Sequence, residues 1–211
     1  MAGPQGVASV FAALGGGVNE RADSRLRVLT GGPGAGKSAL LEALRAAGYS
    51  VMDEAGRAII QDQTLIGGQA LPWGNSRAFA EAMLTWELRS LRLAAGLSGP
   101  VFFDRGLPDV LGYLDLLGLP IPAHMQSAAE RFRYCRQVFL LPPWRDIFIQ
   151  DQERKQTFAE AERTCAAMER TYRRLGYQII EVPPAPLAQR LRFVIEQSLP
   201  RRGERAGQFE A

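Results

Sequence analysis

Apolar residues fall into five short runs, at 26–30, 49–52, 101–103, 137–141 and 177–182, each bounded by Gly, Pro or charged residues. Runs of this length and punctuation predict β-strands. Between them the spacing changes to that of helices. Leu40, Leu41, Leu44 and Ala47 share one face of a helix that follows the first strand, and Gly48 stops it. Asn75 or Ser76 can cap a long helix running to about Ala95. Its apolar positions Phe79, Met83, Leu84, Trp86, Leu88 and Leu91 wrap more than one face, which predicts a largely buried helix. Pro108 can start a helix after the third strand, and a short one spans roughly 123–132. Thr157 and Glu160 form a capping box ahead of the seam Phe158, Ala161, Cys165, Met168, Tyr172 and Leu175, which Gly176 ends. Leu187, Leu191, Val194, Ile195 and Leu199 mark a last helix. Strands alternating with helices predict an α/β fold: a five-stranded, mostly parallel sheet with helices on both faces.

The 211 residues suffice for one such domain, placed at 25–199. Residues 1–24 read as a flexible extension, although their apolar run at 7–14 could instead cap the sheet or join a partner. No Lys or Arg precedes that run, so it does not read as a signal peptide. Residues 200–211 read as a disordered polar tail. A net charge of +3 demands no nucleic-acid partner, and no stretch is long and apolar enough to suggest a membrane span. Two cysteines, Cys135 and Cys165, and the single histidine His124 exclude a Cys/His zinc site and a disulfide framework. Both thiols are expected to be buried and reduced in a cytoplasmic protein.

Chemistry enters at Gly31-Gly32-Pro33-Gly34-Ala35-Gly36-Lys37-Ser38, which fits G-x-x-x-x-G-K-[ST] and sits between a strand and a helix. Glycines let the backbone aim successive N–H groups into one concavity, and the helix N-terminus adds partial positive charge. Gly32, Pro33, Gly34, Ala35, Gly36, Lys37 and Ser38 are therefore expected to hold a nucleoside triphosphate. Lys37 would reach the β- and γ-phosphates and the Ser38 hydroxyl would ligate Mg²⁺.

The ends of the next two strands supply acids. Asp53 and Glu54 follow the second, with Arg57 one helical turn on. The ends of strands in an open parallel sheet face the ligand crevice, but two acids also suit the start of a helix. Val101-Phe102-Phe103-Asp104 ends in the acid expected near Mg²⁺ or its waters, with Arg105 next and Asp109 four residues further. Trp73, in a Gly/Pro-rich loop, could stack on a substrate base or pack in the core. The stretch 144–156 carries Arg145, Asp146, Asp151, Glu153, Arg154 and Lys155, a mobile lid or a solvated helix face.

With these motifs the chain resembles the small AAA-type ATPase/kinase domain related to the nicotinamide riboside kinase part of the NAD-biosynthesis regulator. The likeness rests on the phosphate loop and on Asp53-Glu54-Ala55-Gly56-Arg57, Leu71-Pro72-Trp73 and Phe102-Phe103-Asp104-Arg105-Gly106-Leu107-Pro108-Asp109. Leu140-Leu141-Pro142-Pro143-Trp144 and Glu153-Arg154-Lys155-Gln156-Thr157-Phe158 extend it, and it covers about 25–197. It implies a P-loop NTPase three-layer sandwich of nucleoside/nucleotide-kinase type, with Arg154 as the lid arginine closing over the phosphates. It also implies substrate near Asp53, Glu54, Arg57, Trp73, Arg105 and Asp109. Two functions follow. One is a Mg²⁺-dependent kinase passing the ATP γ-phosphoryl group to a small-molecule acceptor, with Glu54 or Asp104 taking the proton and Lys37, Arg105 and Arg154 stabilising charge. The other is a slowly hydrolysing, nucleotide-dependent switch that presents its lid to a protein partner.

Overall fold

A computed structural model of the chain describes residues 23–148 and 157–199. The expectations for the extension at 1–24 lie almost wholly outside the described residues. Those for the 200–211 tail and for Asp151, Glu153, Arg154 and Lys155 of the lid lie wholly outside them.

The five apolar runs form β1 (Leu26–Gly31), β2 (Ser50–Met52), β3 (Val101–Asp104), β4 (Gln137–Leu141) and β5 (Gln178–Glu181). They make one sheet in the order β2-β3-β1-β4-β5, with every pair parallel. Seven helices connect and cover the described part: α1 (Lys37–Ala46), α2 (Ala55–Leu65), α3 (Ser76–Ala95), α4 (Leu107–Leu116), α5 (Ala123–Arg131), α6 (Phe158–Arg174) and α7 (Leu187–Ser198). This is the P-loop NTPase-like α/β sandwich.

Alternation along the strands sorts the core into two layers. Leu29, Phe102 and Phe139 face α1 and α7, where Leu40, Leu41, Leu44 and Val194 close over them. Their strand neighbours Val28, Phe103 and Val138 face α3, α4, α5 and α6 through Leu84, Leu91, Leu107, Leu111, Met125 and Tyr172. The central strands β1 and β3 are buried on both sides, which is why their apolar residues fall on consecutive rather than alternating positions, with Arg27 and Thr30 buried among them.

Capping follows the sequence closely. Asn75 accepts from the Ala78 amide at 3.0 Å to open α3. At α6, Thr157 Oγ1 accepts from the Glu160 amide at 3.2 Å, and Glu160 accepts from the Thr157 amide at 2.6 Å. Cys165 and Cys135 are buried free thiols. One expectation needs correction. The buried face of α3 is narrow, running Phe79, Ala80, Leu84, Glu87, Ser90, Leu91 and Ala94, while Met83, Trp86 and Leu88 are only partly covered. The helix meets its neighbours along one side, and the outer aromatic Trp86 lies under the Arg89 guanidinium. Among the described residues no helix is long and apolar enough to cross a membrane.

Candidate active site

Parallel pairing brings the carboxyl ends of β1, β2 and β3 to one edge, with Leu29 beside Asp104 and Met52 beside Phe103. Connections from β1 and β3 leave toward opposite faces, which opens a crevice between them. A cleft of about 1380 Å³ occupies it, lined by residues 33–39, Glu54, Arg57, Glu87, Asp104, Arg105 and Asp109. Beyond the phosphate loop it continues along Ile60, Leu65, Trp73, Phe79, Met83 and Tyr113.

The loop has the backbone that its glycines permit. Gly34 and Gly36 take φ of +70° and +75°, in the left-handed region. Gly36 is the N-cap of α1, so the positive end of that helix faces the cleft. The Phe148 ring lies against Gly34, filling the space a Cβ would need. Lys37 is buried and its Nζ donates to the Gly32 carbonyl at 2.9 Å. Burial, helped by the charge of Arg105, lowers its pKa to about 8 against the pull of Asp104, Glu54 and Asp109. Such a lysine gains its counter-charge when an anion enters the loop. Ser38 is exposed on the same cleft.

Arg105 organises the opposite wall. It is the one non-glycine residue with positive φ among those described, at +74°. Strain of this kind persists only where the surroundings fix it. Its amide donates to Leu29 at 3.0 Å, extending the β1–β3 ladder by one residue. Its side chain donates to Glu54 Oε1 at 3.0 Å, to Asp109 Oδ1 at 3.1 Å and to the Gly31 carbonyl at 3.2 Å. Burial opposes its charge, but the carboxylates of Glu54, Asp109 and Asp104 outweigh that and hold its pKa above the usual arginine value. For Glu54, burial acts upward, yet Arg105 and Lys37 prevail and its carboxyl stays below the ordinary range. Glu54 is therefore an ionised acceptor facing the cleft at neutral pH.

Asp104 is different. Burial, with the charges of Glu54 and Asp109, raises its pKa to about 6 despite Lys37 and Arg105. Its Oδ1 is buried without a hydrogen-bond partner. An orphaned carboxylate oxygen beside a cleft that also presents the Ser38 hydroxyl fits Mg²⁺, which takes few protein oxygens and leaves other positions to water and phosphate. No group of three or more His, Cys, Asp or Glu suited to a protein-only metal cage occurs among the described residues.

Not every residue singled out by sequence meets the cleft. Asp53 is 78% exposed and pairs with Arg45 at 2.6 Å on the outer surface. It is corrected from the substrate set: adjacent residues of an extended segment point to opposite sides, and Glu54 takes the inner one. Asp109 reaches the cleft edge but is held by four donors. Thr30 Oγ1 (2.5 Å), Arg105, the Gly106 amide (3.0 Å) and Tyr172 Oη (2.6 Å) leave it a structural hub at the start of α4. Trp73 is exposed at the mouth, so it is not a core residue. Arg57 also lines the cleft.

Glu87 was not singled out. It is 3% exposed, lines the cleft, and lies 3.5 Å from Tyr134 Oη, which in turn accepts from the Leu107 amide at 3.1 Å. Burial, reinforced by Asp109 and Asp104, raises its pKa to about 8, so the acid is neutral at pH 7. Its signal was positional: an acid at the centre of the Ala80, Leu84, Leu91, Ala94 stripe. Arg190 is likewise a buried ionisable residue, one helical turn before the buried Val194 of α7.

Comparison with known proteins places this geometry. The sequence pattern of a family described as an AAA domain matches residues 26–190. No curated protein matches the sequence. Among solved structures, a deoxyadenosine kinase from M. mycoides with the products dCMP and dCDP aligns at a TM-score of 0.59 and 16% identity. That alignment covers 82% of this chain and 97% of the other. The dATP-bound form of that kinase gives 0.53 and 14%, over 82% and 98% of the two chains. A NadR protein in complex with NR gives 0.60 at 13% identity, over 82% of this chain and 50% of the other. At such identities the likeness is one of fold.

Proposed function

The chain belongs to this AAA domain family, and from that premise we propose that it is a phosphotransferase passing the γ-phosphoryl group of Mg²⁺·ATP to a hydroxyl of a small-molecule acceptor. One observation carries the reading: the cleft holds a phosphate loop and, across Asp104, an ion-paired Glu54–Arg105 wall that continues into an apolar chamber. Hydrolysis alone has no use for that chamber. Aromatic and aliphatic walls with a few convergent polar groups suit an organic acceptor, and the deoxyadenosine kinase of similar fold binds dCMP, dCDP and dATP.

In this reading residues 32–38 hold the triphosphate, with Lys37 on its outer phosphates. Ser38 and Asp104 would hold Mg²⁺, which when bound neutralises phosphate charge. Glu54, kept ionised by Arg105, accepts a hydrogen bond from the acceptor hydroxyl and takes its proton as the oxygen–phosphorus bond forms and ADP leaves. Arg105, held by Glu54 and the Gly31 carbonyl, presents positive charge to the transferring group. Arg57 and Trp73 border the acceptor, and Arg154, on sequence alone, is the arginine assigned to close over the phosphates. The test is ADP release from Mg²⁺·ATP with and without candidate acceptors. Stimulation that disappears in Glu54→Gln is the expected result. Slow release that no acceptor changes supports the switch instead.

A further inference from the structure

Among the described residues, a second charge beside Lys37 at the phosphate loop has no ion-pair partner. Arg190 lies in the first turn of α7, 5% exposed, and its Nη2 donates to the Ala35 carbonyl at 2.8 Å. Its Nη1 stands 2.7 Å from where a Cβ on Gly36 would be, so it presses on the loop one residue before Lys37. Nε is buried without a partner. Among the described residues Arg190 makes no ion pair, and the Ala35 bond is its side-chain hydrogen bond.

A guanidinium does not give up its proton, and burying it without a partner is unfavourable. The location adds two further penalties. The first turn of α7 and the N-terminus of α1 are both positive helix ends, and both disfavour a cation. Bracing a carbonyl does not explain the choice, because a neutral amide donates to a carbonyl equally well. What the arrangement lacks is an anion, and the neighbouring loop is built to receive one.

We propose that Arg190, packed behind the loop backbone at Ala35 and Gly36, is a positioning residue whose charge strengthens nucleotide binding, with the polyphosphate of the bound nucleotide as its counter-charge. This rests on the reading of residues 32–38 as a triphosphate site. Pressed against the loop backbone at Ala35 and Gly36, the guanidinium raises the positive potential inside the loop and holds the Ala35 carbonyl. The ligand class is a di- or triphosphate, with or without its nucleoside.

Titration calorimetry and thermal melting of the full chain test this with Mg²⁺·ATP, Mg²⁺·ADP and inorganic tripolyphosphate, for wild type, Arg190→Gln and Arg190→Lys. The glutamine removes the charge and leaves a shorter neutral amide donor in its place. It should bind all three probes at least tenfold more weakly, while its ligand-free melting temperature equals or exceeds that of wild type. Arg190→Lys should stay within about threefold of wild-type affinity, and it decides the matter alone if the glutamine variant does not fold. Wild-type affinity in Arg190→Gln overturns the inference, as does a tenfold loss in Arg190→Lys or a lower ligand-free melting temperature with an undiminished ligand-induced gain. Wild type binding none of the probes overturns the loop reading, and this inference with it.

Discussion

Arg105 donates from Nε to Glu54 Oε1 at 3.0 Å, tying the turn after β3 to the N-cap of α2. The pair depends on the left-handed backbone at Arg105, which turns its side chain back across the ends of β1 and β2. A lysine lacks the fork that reaches Glu54, Asp109 and the Gly31 carbonyl together. Arg105→Lys should reduce turnover on the order of 10²-fold. Arg105→Gln, which removes the charge as well, should let the Glu54 pKa rise, because the charge of Arg105 is the main influence holding it down. A pH–rate profile of the variant should show its acid limb displaced upward; an unmoved limb contradicts the assignment.

Glu54 and Asp104 should separate on substitution. Glu54→Gln should retain nucleotide affinity and lose phosphoryl transfer by roughly 10²–10⁴-fold. Asp104→Asn should instead raise the Mg²⁺ concentration needed for half-maximal activity, since the buried Oδ1 would no longer offer a charged ligand. Metal titrations at saturating ATP check both, and identical Mg²⁺ curves for wild type and Asp104→Asn would remove the metal role.

Nucleotide affinity should depend on pH through Lys37. Its pKa of about 8 in the free protein means that above that value the lysine is neutral before ligand arrives. Phosphate binding must then bring a proton with it. Affinity for Mg²⁺·ADP should be level from pH 7 to 8 and fall by up to about tenfold per unit above. The fall should persist in Glu87→Gln, whose carboxyl is gone, and a flat curve to pH 10 is the contrary result.

Glu87 should make the protein less stable as pH rises. Its folded pKa of about 8 exceeds the ordinary glutamate value of 4.5, so between those values the folded chain holds a proton that the unfolded chain has lost. The associated stability is complete below pH 4.5, declines by roughly 1.4 kcal/mol per unit above it, and is gone once pH passes 8. Glu87→Gln should flatten this slope in urea unfolding and exceed wild type in stability at pH 9. Parallel slopes for the two proteins would show that Glu87 does not titrate this way.

Much of this was legible in the chain because the signals are local. The phosphate loop names its own residues, the β1, β3 and β4 runs are apolar because they are buried on both faces, and the Thr157–Glu160 box opens α6 where its spacing says. What escaped depends on contacts distant in sequence. Nothing near Glu87 announces Tyr134, 47 residues away, and nothing near Arg190 announces Ala35, 155 residues away. Asp109 lines the cleft as expected of a substrate contact, but its partners Thr30 and Tyr172 lie on other elements, so its place as a hydrogen-bonded hub was not visible in the chain. Asp53 and Glu54 are alike in sequence, and only the pleat assigns one to Arg45 and the other to the cleft.

The destination of the γ-phosphoryl group tests the central claim most directly. With γ-labelled Mg²⁺·ATP and a panel of nucleosides, vitamins and amino-sugar antibiotics, the label should appear in an organic phosphate for at least one acceptor. That transfer should vanish in Glu54→Gln while ATP still protects the variant from thermal unfolding. Label found only in inorganic phosphate, at a rate that neither any acceptor nor Glu54→Gln alters, would contradict the account.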